Sequence, residues 1–304
     1  MHIVFRVSLL VSLLSLVGMT YLLTNFSTQT VQSLLHPPHT PLTDDPGNWG
    51  MPYETVAFPS QDGTVLRGWF IPGESQAAVI LTHGLWTNRQ SLLPWAEMLY
   101  KRGGMSVLMF DFRAVGESEG ETITFGYKER GDVLGALAYL KTRPEVDGGR
   151  IGVMGNSLGA AVALMAAGTN NEAFGAVVAD SPFESLDAMV GSSFQLLTGL
   201  PRLPFGPLVV RIGEWETGLR TSEVMPVRQV ANISPTPLLI IHGLQDKLVP
   251  YVQSRALFEA AQEPKELWLV AGADHVGARK VAREEYEDRV IAFFQRHLED
   301  RPAG

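Results

Sequence analysis

Arg-Ile-Gly-Val-Met-Gly-Asn-Ser-Leu-Gly-Ala-Ala-Val-Ala-Leu-Met-Ala-Ala-Gly, from Arg150 to Gly168, joins two kinds of chain at a serine. Ile151 to Met154 is a short apolar run of strand type. The Ala-rich run after Gly159 has high helix propensity. Between them, Gly155-Asn156-Ser157-Leu158-Gly159 is a G-x-S-x-G. In this context it reads as a nucleophile elbow, a sharp strand-to-helix reversal with Ser157 strained at its apex. Gly155 and Gly159 have no Cβ, so neighbouring backbone can approach that apex closely. The Leu158 N–H then points to where an oxyanion would form. The bland alternative is a glycine-rich turn with an idle serine, and the rest of the chain decides between them.

Outward from this stretch, short apolar runs alternate with helical ones. Tyr53–Phe58 and Leu66–Ile71 read as strands joined by the Gln61-Asp62-Gly63 turn. Further strands are expected at Ala78–Thr82, Met105–Phe110, Ala176–Ala179, Pro237–Ile241 and Leu267–Val270. Helices are expected at Gln90–Arg102, Tyr127–Lys141, Val252–Ala261 and Arg279–His297. Such alternation predicts an α/β fold, a mostly parallel central sheet with helices on both faces. Ligands in such sheets sit beyond the carboxyl ends of the strands. The alternation stops between Pro182 and Ser234, so a small cap insertion of about 183–234 is expected over those ends, the alternative being a decoration away from the site.

The 304 residues are 45% hydrophobic and carry a net charge of −8. No basic stripe is visible, so no nucleic-acid partner is expected. Absence of cysteine excludes disulfides, thiolate catalysis and Cys-ligated zinc. Ile3 to Leu23 is long and apolar enough to span a bilayer. Arg6, near its start, is its one charged side chain and no charge follows until Asp44, which favours translocation of the rest of the chain. Residues 1–25 are therefore expected to be a membrane anchor, with a cleaved signal and a secreted product as the alternative. Pro37, Pro38, Pro41 and Pro46 suggest that 26–52 is a Pro-rich tether. The folded domain would then occupy 53–298, with 299–304 as a tail.

A serine hydroxyl needs a base, and the base needs an orienting acid. Asp246 follows the Pro237–Ile241 strand, within His242-Gly243-Leu244-Gln245-Asp246. His275 follows the Leu267–Val270 strand, within Gly272-Ala273-Asp274-His275. With Gly155–Gly159, His83-Gly84, the Asp111-x-Arg113-x-x-Gly116-x-Ser118 turn and Val249-Pro250, the chain from Tyr53 to about Leu298 resembles the α/β-hydrolase superfamily. Its architecture is similar to bacterial membrane-anchored esterase-like or thioesterase-like members.

That resemblance implies Ser157 as nucleophile, His275 as base and Asp246 as acid, with Leu85 and Leu158 N–H groups as oxyanion hole. It implies no metal and no organic cofactor. Asp180 is the alternative acid. His83 and His242 are expected to hold loops, and Asp274 to serve a turn. Arg113 is expected to tie loops together, and Glu117, Glu119 and Glu121 to form a solvated acidic edge. Trp86 is expected to line the acyl pocket.

The expected substrate is a small-molecule or lipid-like acyl ester or thioester. A peptidase or amidase shares the same acyl intermediate, and an aminopeptidase could recruit Glu184, Asp187, Glu214 or Glu216 from the cap. A non-catalytic binding protein of the same fold is the third reading, weakened by the complete set of three residues.

Overall fold

The strands at the centre are apolar on both faces, so both faces must be covered. They are β1 (Glu54–Pro59), β2 (Val65–Ile71), β3 (Ala78–Thr82), β4 (Ser106–Phe110), β5 (Ile151–Asn156), β6 (Ala176–Asp180), β7 (Leu238–Gly243) and β8 (Lys265–Val270). The helices are α1 (His2–Leu35), α2 (Leu93–Glu97), α3 (Glu129–Leu140), α4 (Leu158–Thr169), α5 (Leu186–Thr198) and α6 (Arg202–Thr217). They continue with α7 (Pro226–Gln229), α8 (Val252–Ala260), α9 (Ala278–Val281) and α10 (Arg283–Phe294). The computed structural model describes residues 2–169 and 173–299, so the expected tail lies outside it apart from Glu299.

The eight strands form one sheet in the order β1-β2-β4-β3-β5-β6-β7-β8. The β1–β2 and β2–β4 pairs are antiparallel and the rest parallel. Alternate residues serve opposite layers. Ile80 and Val153 pack with α3 and α4 residues such as Val133 and Val162. Val79 and Leu81 pack with Leu93, Val290 and Phe294 on the other side. Helix α4 is buried all round, from Leu158 to Gly168, as its Ala-rich sequence allows.

Register sets the place of the site. Thr82 at the end of β3 lies opposite Gly155, and Asn156 opposite Asp180. The turns after β3, β5 and β6 therefore leave the sheet side by side, where the strand order reverses direction.

The N-terminal region departs from the expected anchor and tether. Helix α1 is continuous to Leu35, ten residues beyond the expected anchor. Val4 to Leu22 are exposed, whereas Ser27, Val31 and Leu35 are buried, one helical turn apart, on the face that packs on α6. The prolines do stop the helix, yet the chain after them is laid on the domain. His36 Nδ1 meets the Glu121 carbonyl at 2.7 Å and His39 Nδ1 the Gly116 carbonyl at 2.7 Å. The Thr43 and Asp44 N–H groups donate to Gln90, and Met51 is buried. Residues 27–52 thus belong to the packed unit. Leu35→Ala is expected to cost about 2–5 kcal/mol by opening a cavity in the core, read as a lower denaturant midpoint, whereas deleting residues 2–22 should leave that midpoint unchanged.

Candidate active site

Ser157 takes a left-handed backbone conformation, φ +54°, that β-substituted residues avoid. The tight turn holds it there. A Cβ on Gly155 would overlap the Gly159 backbone, and one on Gly159 would overlap the Thr82 carbonyl. Thr82 Oγ1 donates to the Gly159 carbonyl at 3.0 Å, and the Ser157 N–H donates to the Asp180 carbonyl at 2.8 Å. Trp86, Phe125 and Val276 are also left-handed, at φ +58°, +52° and +55°. All three line the cavity over Ser157. Strain of this kind gathers where a site must be held in one shape.

The fold brings the three distant side chains together. Ser157 Oγ–H donates to His275 Nε2 at 2.8 Å, and His275 Nδ1–H donates to Asp246 Oδ2 at 2.7 Å. Asp246 Oδ1 accepts from the N–H groups of Leu248 at 2.9 Å and Val249 at 2.8 Å. His242 stands behind the same carboxylate, its Nε2 3.1 Å from Asp246 Oδ2 and 2.7 Å from the Val249 carbonyl. Two acceptors there require the proton on Nε2, so Nδ1 accepts from Ser254 Oγ at 2.6 Å. Burial pushes the Asp246 carboxyl up, but the His242 and His275 hydrogen bonds and the positive charge of His275 outweigh it. Its pKa falls to about 2, so the group is ionised at neutral pH.

Asp180, the alternative acid, faces elsewhere. It accepts from Tyr286 Oη at 2.7 Å and from Ser181 Oγ at 3.0 Å, and burial raises its pKa. Ser181 Oγ in turn accepts from the Val276 N–H at 3.1 Å, which fixes the residue beside His275. His83 is buried, with Nε2 accepting from the Phe112 N–H at 3.0 Å and Nδ1 2.8 Å from the Gly84 carbonyl. Asp274 closes a turn by accepting from the Gly277 N–H at its carbonyl. Arg113 ties Ser60, Asp62 and Asp132 together.

The acidic edge is only partly solvated. Glu117 pairs with the buried Arg89, and Glu119 accepts from the Val65 N–H at 3.1 Å. Arg89 also pairs with Asp111 and lies over the Trp69 ring. Glu129 is another buried carboxylate that no motif announced. It accepts from the N–H groups of Thr124 at 2.6 Å and Gly126 at 2.7 Å, setting the loop that delivers Phe125.

The cavity over Ser157 has a volume of about 280 Å³. Leu85 and Leu158 line it, and among the described residues neither N–H is taken by another backbone group. Trp86 lines it too. Phe183, Met189, Ser193 and Leu197, all from the segment between β6 and β7, also line it. Ser193 Oγ–H on α5 donates to the Leu248 carbonyl at 2.5 Å, tying α5 to the loop that carries Asp246.

No Asp, Glu, Lys or Arg side chain is among the described lining residues. The candidate amine-binding carboxylates are elsewhere. Glu214 accepts from Thr221, Glu216 accepts from Gln32 on α1, and neither Glu184 nor Asp187 lines the cavity.

A family model described as the prolyl oligopeptidase family matches residues 123–301, more than half of the chain. The chain belongs to the prolyl oligopeptidase family. It is 30% identical to YfhR of Salmonella typhi over 262 residues, 81% of this chain and 82% of that one. It is 28% identical to the polyketide transferase af380 of Aspergillus fumigatus over 289 residues, 81% of this chain and 99% of that one. Among solved structures, the Pyrococcus furiosus esterase Pf2001 superposes with a TM-score of 0.74 at 30% identity, covering 87% of this chain and 98% of that one. The acylaminoacyl peptidase of Pyrococcus horikoshii shares the fold at a TM-score of 0.64 and 21% identity, covering 86% of this chain and 45% of that one. Membership and fold make this chain an α/β-hydrolase, a hydrolytic enzyme.

Proposed function

We propose that this family member is a serine hydrolase that cleaves neutral, apolar carboxylic esters or thioesters through an acyl-enzyme. The observation that carries the proposal is the hydroxyl–imidazole–carboxylate line, 2.8 Å and 2.7 Å, at the floor of an uncharged cavity. In this reading Ser157 Oγ attacks the acyl carbonyl while His275 Nε2 takes its proton. The negative oxygen is held by the N–H groups of Leu85 and Leu158, each worth about 3–4 kcal/mol of barrier in comparable sites. Protonated His275 hands its proton to the departing alkoxide or thiolate, and the bond to the leaving group breaks. Water, deprotonated by the same nitrogen, then cleaves the acyl-enzyme. Asp246 keeps the proton of the resting imidazole on Nδ1 and steadies the imidazolium.

A peptidase would use the same steps, and the family description and the acylaminoacyl peptidase both point that way. The uncharged lining counts against an aminopeptidase in particular, because a substrate ammonium buried there would have no counter-charge. Matched ester, thioester and anilide substrates of one acyl group separate the two. We expect the ester and thioester to exceed the anilide at least tenfold in kcat/KM, about 1.4 kcal/mol; comparable anilide turnover would favour the peptidase.

Helix α1 is long and apolar enough to cross a membrane. With Arg6 as the lone charged side chain before Asp44, it supports an anchored protein with its hydrolytic unit outside the cytoplasm.

A further inference from the structure

The exposed part of α1, Val4 to Leu22, is roughly 28 Å long at 1.5 Å per residue. That matches a hydrocarbon core of about 30 Å. Docking on the domain starts within two turns of its end, at Ser27. The helix is one continuous rod, so the part of the domain beside Phe26 to Leu34 sits where the rod would leave a bilayer.

An open trough of about 600 Å³ occupies that place. Phe26, Thr30 and Leu34 of α1 form one wall, with Leu197 and Leu200 of the cap region and Trp86 opposite. Trp86 and Leu197 line the chamber over Ser157 as well, so these two side chains form the partition between trough and chamber. Trp86 is 38% exposed, on a left-handed backbone. Leu196 and Leu203, next to the trough-lining segment, are 64% and 72% exposed, apolar surface of the sort that a bilayer interface covers. At about 280 Å³ the chamber lies just below the roughly 300–1,000 Å³ usual for small-ligand pockets. It leaves the far end of a long acyl chain to be housed elsewhere.

We propose that the substrate is a long-chain acyl ester resident in the membrane, drawn to Ser157 laterally along α1 through the trough, between Trp86 and Leu197. Its carbonyl reaches Ser157 while the rest of the chain stays against Phe26, Thr30 and Leu34. This rests on the serine-hydrolase reading of the same site. It gives the docked half of α1 a second role as the wall of a substrate path.

The test uses the full chain in phosphatidylcholine vesicles and a hexadecyl fluorophosphonate carrying a diazirine at the chain end. The phosphonate should add to Ser157, and on irradiation the chain end should cross-link within residues 26–38 or 197–200, the two walls of the trough. Thr30→Trp should lower the labelling rate by this probe at least tenfold relative to that by ethyl fluorophosphonate, which needs no trough. A Ser157 adduct whose cross-links fall outside both 26–38 and 197–200, or an unchanged ratio of the two rates in Thr30→Trp, overturns the lateral path and leaves the hydrolase reading standing. No adduct with either probe counts against the hydrolase reading itself. The cross-link map is read on the unsubstituted chain, so it holds even where Thr30→Trp fails to fold.

Discussion

Ser157→Ala is expected to lower kcat for a short p-nitrophenyl ester by about 10⁴-fold or more while leaving the fold intact. The hydroxyl is the atom that forms the acyl bond in the proposed chemistry, and no neighbour is placed to replace it. Ser193 also lines the cavity, but its hydroxyl is committed to the Leu248 carbonyl and lacks a base. What remains in the variant is the oxyanion pair and binding, which alone give a modest rate over water. Alanine is smaller than serine and Ser157 Oγ makes its hydrogen bond to His275, outside the core, so the denaturant midpoint should move little. Turnover within tenfold of the unsubstituted protein would mean that the elbow is a turn and no more.

Asp246→Asn is expected to lower kcat by about 10³–10⁴-fold with KM little changed. The orientation of the new amide is dictated locally. The Leu248 and Val249 N–H groups both donate to Oδ1, so the asparagine must keep its oxygen there. Its NH₂ then faces His275 Nδ1, which becomes an acceptor and moves the imidazole proton to Nε2. A protonated Nε2 cannot take the proton of Ser157. The same NH₂ meets the Nε2–H of His242, leaving two donors opposed.

The substitution also has a pH signature. The Asp246 carboxyl has its pKa lowered from 3.8 to about 2, so the folded state favours the ionised form. Its contribution to stability is full above pH 4 and is lost as pH falls toward 2. The stability gap between the unsubstituted protein and Asp246→Asn, from urea denaturation, should therefore narrow between pH 5 and pH 2.5. No acid limb of activity above pH 4 should come from Asp246.

Ser157, Asp246 and His275 were legible because each sits just past an apolar strand, and parallel sheets collect such turns at one edge. The acid was separable from Asp180 only through the resemblance to known hydrolases. In space the difference is plain, since Asp180 is occupied by Tyr286, a residue more than a hundred positions away. The docked half of α1 was not legible. Ser27, Val31 and Leu35 recur at helical spacing, yet they follow an apolar stretch with no polar face to give contrast, and their partner α6 lies far along the chain. The four prolines correctly marked the end of a helix but said nothing about where the chain after it lies.

Arg89 was missed for a related reason. A lone arginine at a helix start reads as surface, and its partners come from two other segments, Asp111 and Glu117 from the turn after β4 and Trp69 from β2. Glu129 was closer to legible. Its partners Thr124 and Gly126 lie within five residues, so a Thr-x-Gly-x-x-Glu spacing at a helix start is a local signal for a carboxylate folded back onto its own loop.

Ethyl fluorophosphonate followed by intact-mass and peptide analysis tests the central claim most directly, because it reads the reactivity of one hydroxyl without assuming a natural substrate. The expected result is a single adduct on Ser157, formed at a rate that His275→Ala lowers at least a hundredfold, about 2.7 kcal/mol. Label on another residue, or labelling of Ser157 that does not depend on His275, would contradict it.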